Sequence, residues 1–468
     1  MQNELDPISR QTPRRRKRTK MQIFKEAYLP TIILAVTIVL ALIFIIGGAI
    51  KRGSSSETQP PETTVPTQVP STEDDDAELL AEEAANLILQ AEMLAGAYDY
   101  EGAIAALDNF RGDATLFPAL GEARDRYTAI LNSMVAWKAG DVPNLSFHVL
   151  IADGNRAFVD KTYGSSYKKN FVTVSEFSAI LQQLYDNGYV LVDLDDFYII
   201  EHNDSSGRDV YTEVELLLPA GKKPVMLTET NANYYTYMID SNNDGKPDAN
   251  ADGFASKLCY DGAFYNELVN ADGSISTGAF DLVPLLEEFI EYNPDFSYKG
   301  ARATISFSGY DGVLGYRINS NTLSSAELQA ERDGAAAVVQ ALKDAGYKLA
   351  CYTYNNINYG TKDASTIKSD LDKWAREITP WIGQLDILVF AREGDIGDED
   401  PYSGSKFNVL YSAGFRYFMA SGETPWNQVN ELYVRHNRIN VTGNNLRKHA
   451  ELFAGMFDAS TVLDPSRP

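Results

Sequence analysis

The chain has 468 residues, with 65 Asp and Glu against 41 Lys and Arg, for a net charge of −24. An acidic balance of this size excludes nucleic acid as the partner, because holding phosphates relies on clustered positive charge. Cys259 and Cys351 are too few for a disulfide framework and leave open either one bridge or two separate thiols.

The basic residues are concentrated at the start. Residues 1–28 form a basic tail, and Leu29–Ile50 follows without a charge, at about the 20 residues an α-helix needs to cross a bilayer. Residues 29–50 are therefore predicted to be an uncleaved transmembrane helix. The Lys and Arg before it put the N-terminus in the cytoplasm and the rest of the chain outside, as a single-pass protein of the cell membrane. Residues 51–76 are dense in Ser, Thr, Pro and acids, which predicts a disordered linker. Residues 77–140 turn Ala- and Leu-rich at helical spacing, with two helices meeting near Gly96–Tyr98 and a third running from about Pro118 to Trp137. Their AYDYEGAIAAL segment resembles a tetratricopeptide unit, which implies a small helical stalk open to a protein partner. A lone unit cannot bury its own face, so a spacer packed on the next domain is the plainer expectation.

Strands and helices then alternate over residues 145–460. LSFHVLIAD reads as a strand, and Thr173 with Glu176 forms a capping box at the start of a helix that Gly188 closes. PVMLTETNANYY, residues 224–235, is a short apolar strand that ends in Thr228, Glu229, Thr230 and Asn231. In parallel α/β folds the chemistry gathers at that end of the strands. Next, Asp240, Asn242, Asp244 and Asp248 surround Gly245 at the spacing of a calcium loop, with Asp252 near the place of the missing final acid. Structural Ca2+ and a solvated acidic turn are both compatible with that pattern. Asp281–Tyr292 is predicted as a helix that tolerates Pro284 in its first turn, and Ser325–Ala345 as a long helix stopped by Gly346.

This order of helix, Gly-Tyr turn, strand and polar strand end resembles the polysaccharide deacetylases with a NodB-homology domain. The likeness spans roughly residues 145–455 and implies an α/β fold, a distorted parallel (β/α) barrel. In that family the first motif is Thr-Phe-Asp-Asp, with the general base and then a metal ligand as its two acids; the matching positions here are Thr230 and Asn231. Two further ligands are histidines on a later strand, and the aligned positions are Tyr352 and Asn356. Asn231, Tyr352 and Asn356 supply no formal charge for zinc, and a threonine hydroxyl has no pKa suited to a base. His436 aligns loosely with a histidine that assists the leaving group, and reads equally well as a surface histidine on a strand. The resemblance implies cleft contacts from Arg392 and Asp395 of a third motif and from Arg435 or Arg438 near the end; Glu229 at the strand end, and Tyr234, Tyr235 and Trp426 as flat faces for sugar rings or plain rim packing, complete the candidate substrate-binding set. Glu229 with Glu393 or Asp395 is a weaker alternative, a glycosidase-like carboxylate pair.

The sequence thus predicts a membrane-anchored, extracytoplasmic deacetylase-like protein that binds cell-wall polysaccharide or peptidoglycan, has lost catalysis and carries no cofactor in its cleft. Two readings compete with it. One is an active polysaccharide N-deacetylase using Zn2+ or a similar divalent metal; the other is a structural or scaffold protein of the cell surface.

Overall fold

The computed structural model describes residues 72–203, 205, 207–239, 253–398 and 400–468. The expected membrane span at 29–50 and the calcium loop Asp240, Asn242, Asp244, Asp248 and Asp252 lie outside them. No helix among the described residues is long and apolar enough to cross a membrane. The fold, partner and single-pass localisation that depended on such a helix are therefore corrected: no helix among the described residues supplies a membrane span, and none enters the functional reading below.

The described residues divide into two compact units, one holding residues 72–89 and 110–117 and one holding residues 90–109 and those from 118 onward. Helix α1 (Thr72–Gly96) opens inside the stretch expected to be linker and contributes to both units. In the smaller unit Arg111 reaches Glu83 at 2.9 Å, and the Phe110 and Phe117 rings meet edge-on at 5.1 Å.

In the larger unit α2 (Tyr100–Asp108) and α3 (Pro118–Leu131) bury Tyr100, Ala103, Ala106 and Leu107 against Leu120, Ala123 and Tyr127. The third helix stops at Leu131, short of the predicted Trp137, because residues 135–137 pair instead with Leu216–Leu218 as a small antiparallel ribbon. The helical pair is not a free-standing stalk: the Tyr98 hydroxyl donates to the Asp295 carbonyl at 2.6 Å, and Lys299 N–H donates to the Ala97 carbonyl at 3.0 Å.

A nine-stranded sheet follows, and eight of its strands form a parallel barrel. They are β1 (Asn144–His148), β2 (Tyr189–Leu191), β3 (Lys223–Thr230), β4 (Thr304–Phe307), β5 (Lys348–Cys351), β6 (Ile387–Val389), β7 (Tyr417–Ser421) and β8 (Tyr433–Asn440). Closure runs β3-β4-β5-β6-β7-β8-β1 and back to β3, every pairing parallel. The distortion sits at β2. It pairs only with the first residues of β3, Lys223–Val225, and bridges Ser297 ahead of β4, so β4 meets β3 only further on, at Thr228 and Glu229.

The helices between the strands pack on the outer face. Helix α4 (Val174–Asp186) starts at the Thr173–Glu176 capping box and buries Phe177, Ile180, Leu181 and Leu184, with Phe177 edge-on to Phe147 of β1 at 5.0 Å. Helices α5 (Leu282–Tyr292), α6 (Ser325–Ala345) and α7 (Ala364–Glu377) extend this layer, and Gly346 ends α6 at φ 99°, a left-handed cap. Alternation along the strands then turns Asn144, Ser146, Thr228, Thr230, His436 and Arg438 toward the barrel axis, while Leu145, Phe147, Leu227 and Ile439 join the helix-facing core. The axis of this barrel is polar. Both cysteines are free and buried.

Candidate functional site

The carboxyl ends of the strands converge on a mouth built from residues of β1, β3, β5 and β8 and the turns beyond them. At the end of β1, His148 lies 3.0 Å from the Thr230 hydroxyl and 3.3 Å from the Thr230 carbonyl, both through Nδ1. A carbonyl only accepts, so Nδ1 carries the proton, and the Thr230 hydroxyl donates onward to the Phe147 carbonyl at 3.0 Å. This arrangement leaves Nε2 as the basic nitrogen and does not activate Thr230. Burial, with the Arg438 charge adding to it, holds the His148 pKa down to about 4, so the ring is neutral at pH 7.

Beyond β3, the Asn231 amide oxygen accepts from the Tyr235 hydroxyl at 2.6 Å, and Ser308 lies 3.0 Å from the same hydroxyl. Burial raises the Tyr235 pKa to about 12. Tyr352, just past β5, is 6 % exposed and is kept a neutral phenol by desolvation. Its hydroxyl receives a weak 3.4 Å bond from Arg392 N–H.

Under these groups lies Arg438 of β8, 2 % exposed. Its guanidinium donates to the Ser146 hydroxyl at 2.9 Å and the Phe390 carbonyl at 3.2 Å, both neutral, while Nε has no partner among the described residues. Above it, Glu393 accepts from the Asn440 amide at 3.0 Å, and the same amide reaches Ser421 at 2.9 Å.

The turns framing the mouth hold unusual backbone. Asn231, Tyr234, Asp311, Leu314, Thr353, Asn356, Arg392 and Glu393 all adopt left-handed φ between 49° and 66°. Such conformations cost about 1 kcal/mol or more for a residue with a Cβ and gather where a structure holds side chains for a task. The buried Asn233 side chain keeps the turns after β3 and β4 together: it donates to the carbonyls of Ser308 at 2.8 Å and Gly312 at 2.6 Å and accepts Ser308 N–H at 2.8 Å.

A second, open cleft of about 690 Å³ is lined by Asp395, Asp398, Asp400, Ser421, Thr424, Trp426, Arg435 and Asn437. Arg435 pairs with Asp395 at 2.7 Å and stands 4.8 Å above the Trp426 ring, and the Tyr402 hydroxyl also bonds Asp395. Ser421, which touches Asn440, joins this cleft to the mouth.

The structure therefore gathers Thr230, Asn231, Tyr235, Tyr352 and Arg438 at the mouth, and Asp395, Trp426 and Arg435 in the adjoining cleft. Asn356 stands at the rim, where its carbonyl accepts from Arg392 Nε at 2.9 Å. Three expected residues are elsewhere. Glu229 is fully buried on the helix-facing side of β3, where alternation must put it, and shares its surroundings with Asp281. It reaches neither a substrate nor Glu393 or Asp395 as a glycosidase partner. Tyr234 follows it inward, within 3.3 Å of the Asn266 amide. His436 is fully buried on the barrel axis toward Val142, so it is neither a surface histidine nor a group at the mouth, and burial holds its pKa down to about 4. His148 was not anticipated. Its signal was the polar alternation Asn144, Ser146, His148 in an otherwise apolar strand, which marks an axis-facing row.

The residues at the mouth do not fit the divalent metal that the sequence resemblance implies. Asn231 spends its amide oxygen on Tyr235, Tyr352 is a neutral phenol, and the fixed charge beneath them is a guanidinium that repels a cation. Among the described residues no three His, Cys, Asp or Glu side chains converge to hold a metal ion.

No protein-family model matches the sequence, and no curated protein is recognisably similar to it. Among solved structures, the Streptococcus pyogenes deacetylase PplD in complex with acetate aligns with a TM-score of 0.32 at 13% identity, over 71% of this chain and 100% of that one. A de-N-acetylase from Aggregatibacter actinomycetemcomitans aligns with a TM-score of 0.34 at 11% identity, over 64% of this chain and 95% of that one. The chain is thus distantly similar in structure to two deacetylases, and the description of its barrel and mouth stands on its own strand pairing and contacts.

Proposed function

We propose that this barrel is a divergent relative of the polysaccharide deacetylases that binds a carbohydrate without hydrolysing it. The observation that carries this reading is the chemistry of the mouth, where hydroxyl, amide and phenol groups surround a buried guanidinium in place of carboxylates and a metal. Thr230 is not activated, His148 offers one lone pair with no nucleophile beside it, and the carboxylate over the mouth, Glu393, is engaged with the Asn440 amide. The joined cleft supplies what a sugar needs, an aromatic face at Trp426 and polar edges at Asp398, Thr424 and Asn437.

The test is calorimetry of the purified chain against N-acetylated and non-acetylated neutral oligosaccharides, with and without EDTA, alongside an assay for released acetate. Binding that EDTA leaves unchanged, with no acetate formed, is the expected result. Acetate release that needs zinc would overturn the reading. Trp426→Ala should weaken binding by about 1–3 kcal/mol, the size of one lost aromatic contact.

A further inference from the structure

We infer that the mouth is selective for a ligand that presents a carboxylate, with Glu393 acting as a built-in stand-in for that carboxylate until the ligand arrives. This rests on the reading that the mouth holds a ligand, and adds the ligand's chemical class. A guanidinium taken out of water ordinarily faces a carboxylate, because an uncompensated buried charge is costly. Arg435 and Arg467 obey this in the same chain, paired with Asp395 and Glu176 at 2.7 Å and 2.5 Å. Arg438 does not. Its two hydrogen bonds go to a hydroxyl and a carbonyl, its Nε has no partner, and no carboxylate among the described residues lies within ion-pair distance.

The nearest negative charge that Arg438 feels is Glu393, too far for an ion pair, exposed, and carried on a backbone with φ 56°. Arg392 beside it shares the left-handed conformation at φ 52°. Neither residue type favours that conformation, so the turn is held against its own preference with one carboxylate poised over the mouth. A carboxylate on a ligand would meet the Tyr352 hydroxyl, the Asn440 amide and the field of Arg438. The Asn440 amide now spends a hydrogen bond on Glu393, which the ligand would take over.

The experiment titrates the full chain at constant ionic strength with sodium glucuronate, glucose and sodium acetate. Glucuronate should bind at least about ten-fold more tightly than glucose, the order expected from one partly screened charge pair, with acetate binding weakly at the same place and competing. Glu393 is on the surface, so Glu393→Gln keeps the fold, and it should tighten glucuronate several-fold and widen the glucuronate-to-glucose affinity ratio, because it removes the competitor. A purely structural Glu393 would not produce that gain. Arg438→Gln should abolish the preference; since that variant alters a buried site, Tyr352→Phe gives a second reading, with a loss for glucuronate exceeding that for glucose. Equal affinity for the two sugars, no binding of either carboxylate, or a Glu393→Gln variant with unchanged glucuronate affinity overturns the inference. Binding of neutral oligosaccharides without any preference for the acid defeats this inference alone, whereas loss of both defeats the carbohydrate reading as well.

Discussion

Asn233 shows how much one buried amide can hold at the residue scale. Replacing it with Ala would strand the Ser308 and Gly312 carbonyls and the Ser308 N–H in the interior, and each lost partner costs about 1 kcal/mol or more. We expect Asn233→Ala to lose about 2–4 kcal/mol in urea denaturation; a loss under half a kcal/mol would show that the turns carry themselves. His436 gives a pH prediction. Its folded pKa is depressed to about 4, against about 6.5 in an unfolded chain, so below pH 6.5 the unfolded state binds a proton that the folded state does not. Stability should therefore fall as pH drops from about 6.5 to about 4, by up to about 3 kcal/mol from this residue, and His436→Leu should flatten that part of the curve. The Glu229–Asp281 pair has the opposite sign. Burial and the neighbouring Asp281 charge raise the Glu229 pKa, so the folded state keeps a proton that the unfolded state releases, and stability is lost as pH rises above the ordinary value of 4.5. Glu229→Gln should gain on the wild type between pH 5 and pH 8 in thermal melts. A constant difference would mean the pair carries no shared proton.

At the scale of elements, Arg467 locks α4 in place. Its guanidinium meets Glu176, the capping-box acid, at 2.5 Å and also donates to the Lys168 and Phe171 carbonyls, with both charges buried. Arg467→Ala leaves Glu176 buried and unpaired, so a loss of about 3–5 kcal/mol is expected, checked by melting and by amide exchange across residues 174–186. The sequence showed the capping box of α4 and the glycine that ends α6, because those signals are local: a Thr and a Glu three residues apart, a Gly after a helical run. It could not show Arg467 against Glu176, since no local pattern records a contact made across most of the chain. Glu229 was misplaced for a related reason. A strand buried on both faces offers no polar side to fix which residues face the axis, and only the closed barrel decides it. Thr230, Asn231 and Tyr352 were legible as neighbours because strand ends in a parallel barrel share one rim. Arg438 was legible as a residue of interest, and its burial without an acid was not.

For the whole molecule, a net charge of −24 is spread over a chain whose buried cations are few, so self-repulsion works against the compact state at low salt. Raising NaCl from about 0.02 M to 0.2 M should shorten the reach of that repulsion and raise Tm; an unchanged or lower Tm would mean that the surface ion pairs outweigh it. The closure of the barrel has a consequence for the order in which the protein can be made. Strand β3 needs β4, far ahead of it, to complete its second edge, and β1 stays open until Ile439 and Asn440 of β8 reach Leu145 and Ser146. Arg438 and Ser146, which meet at 2.9 Å, are 292 residues apart along the chain. During synthesis at roughly 5–20 residues per second, β1 therefore waits about 15 s or more with an unpaired edge before its last neighbour emerges. The polar mouth cannot exist before β8 has been made, so a fragment that stops short of Asn440 holds no site.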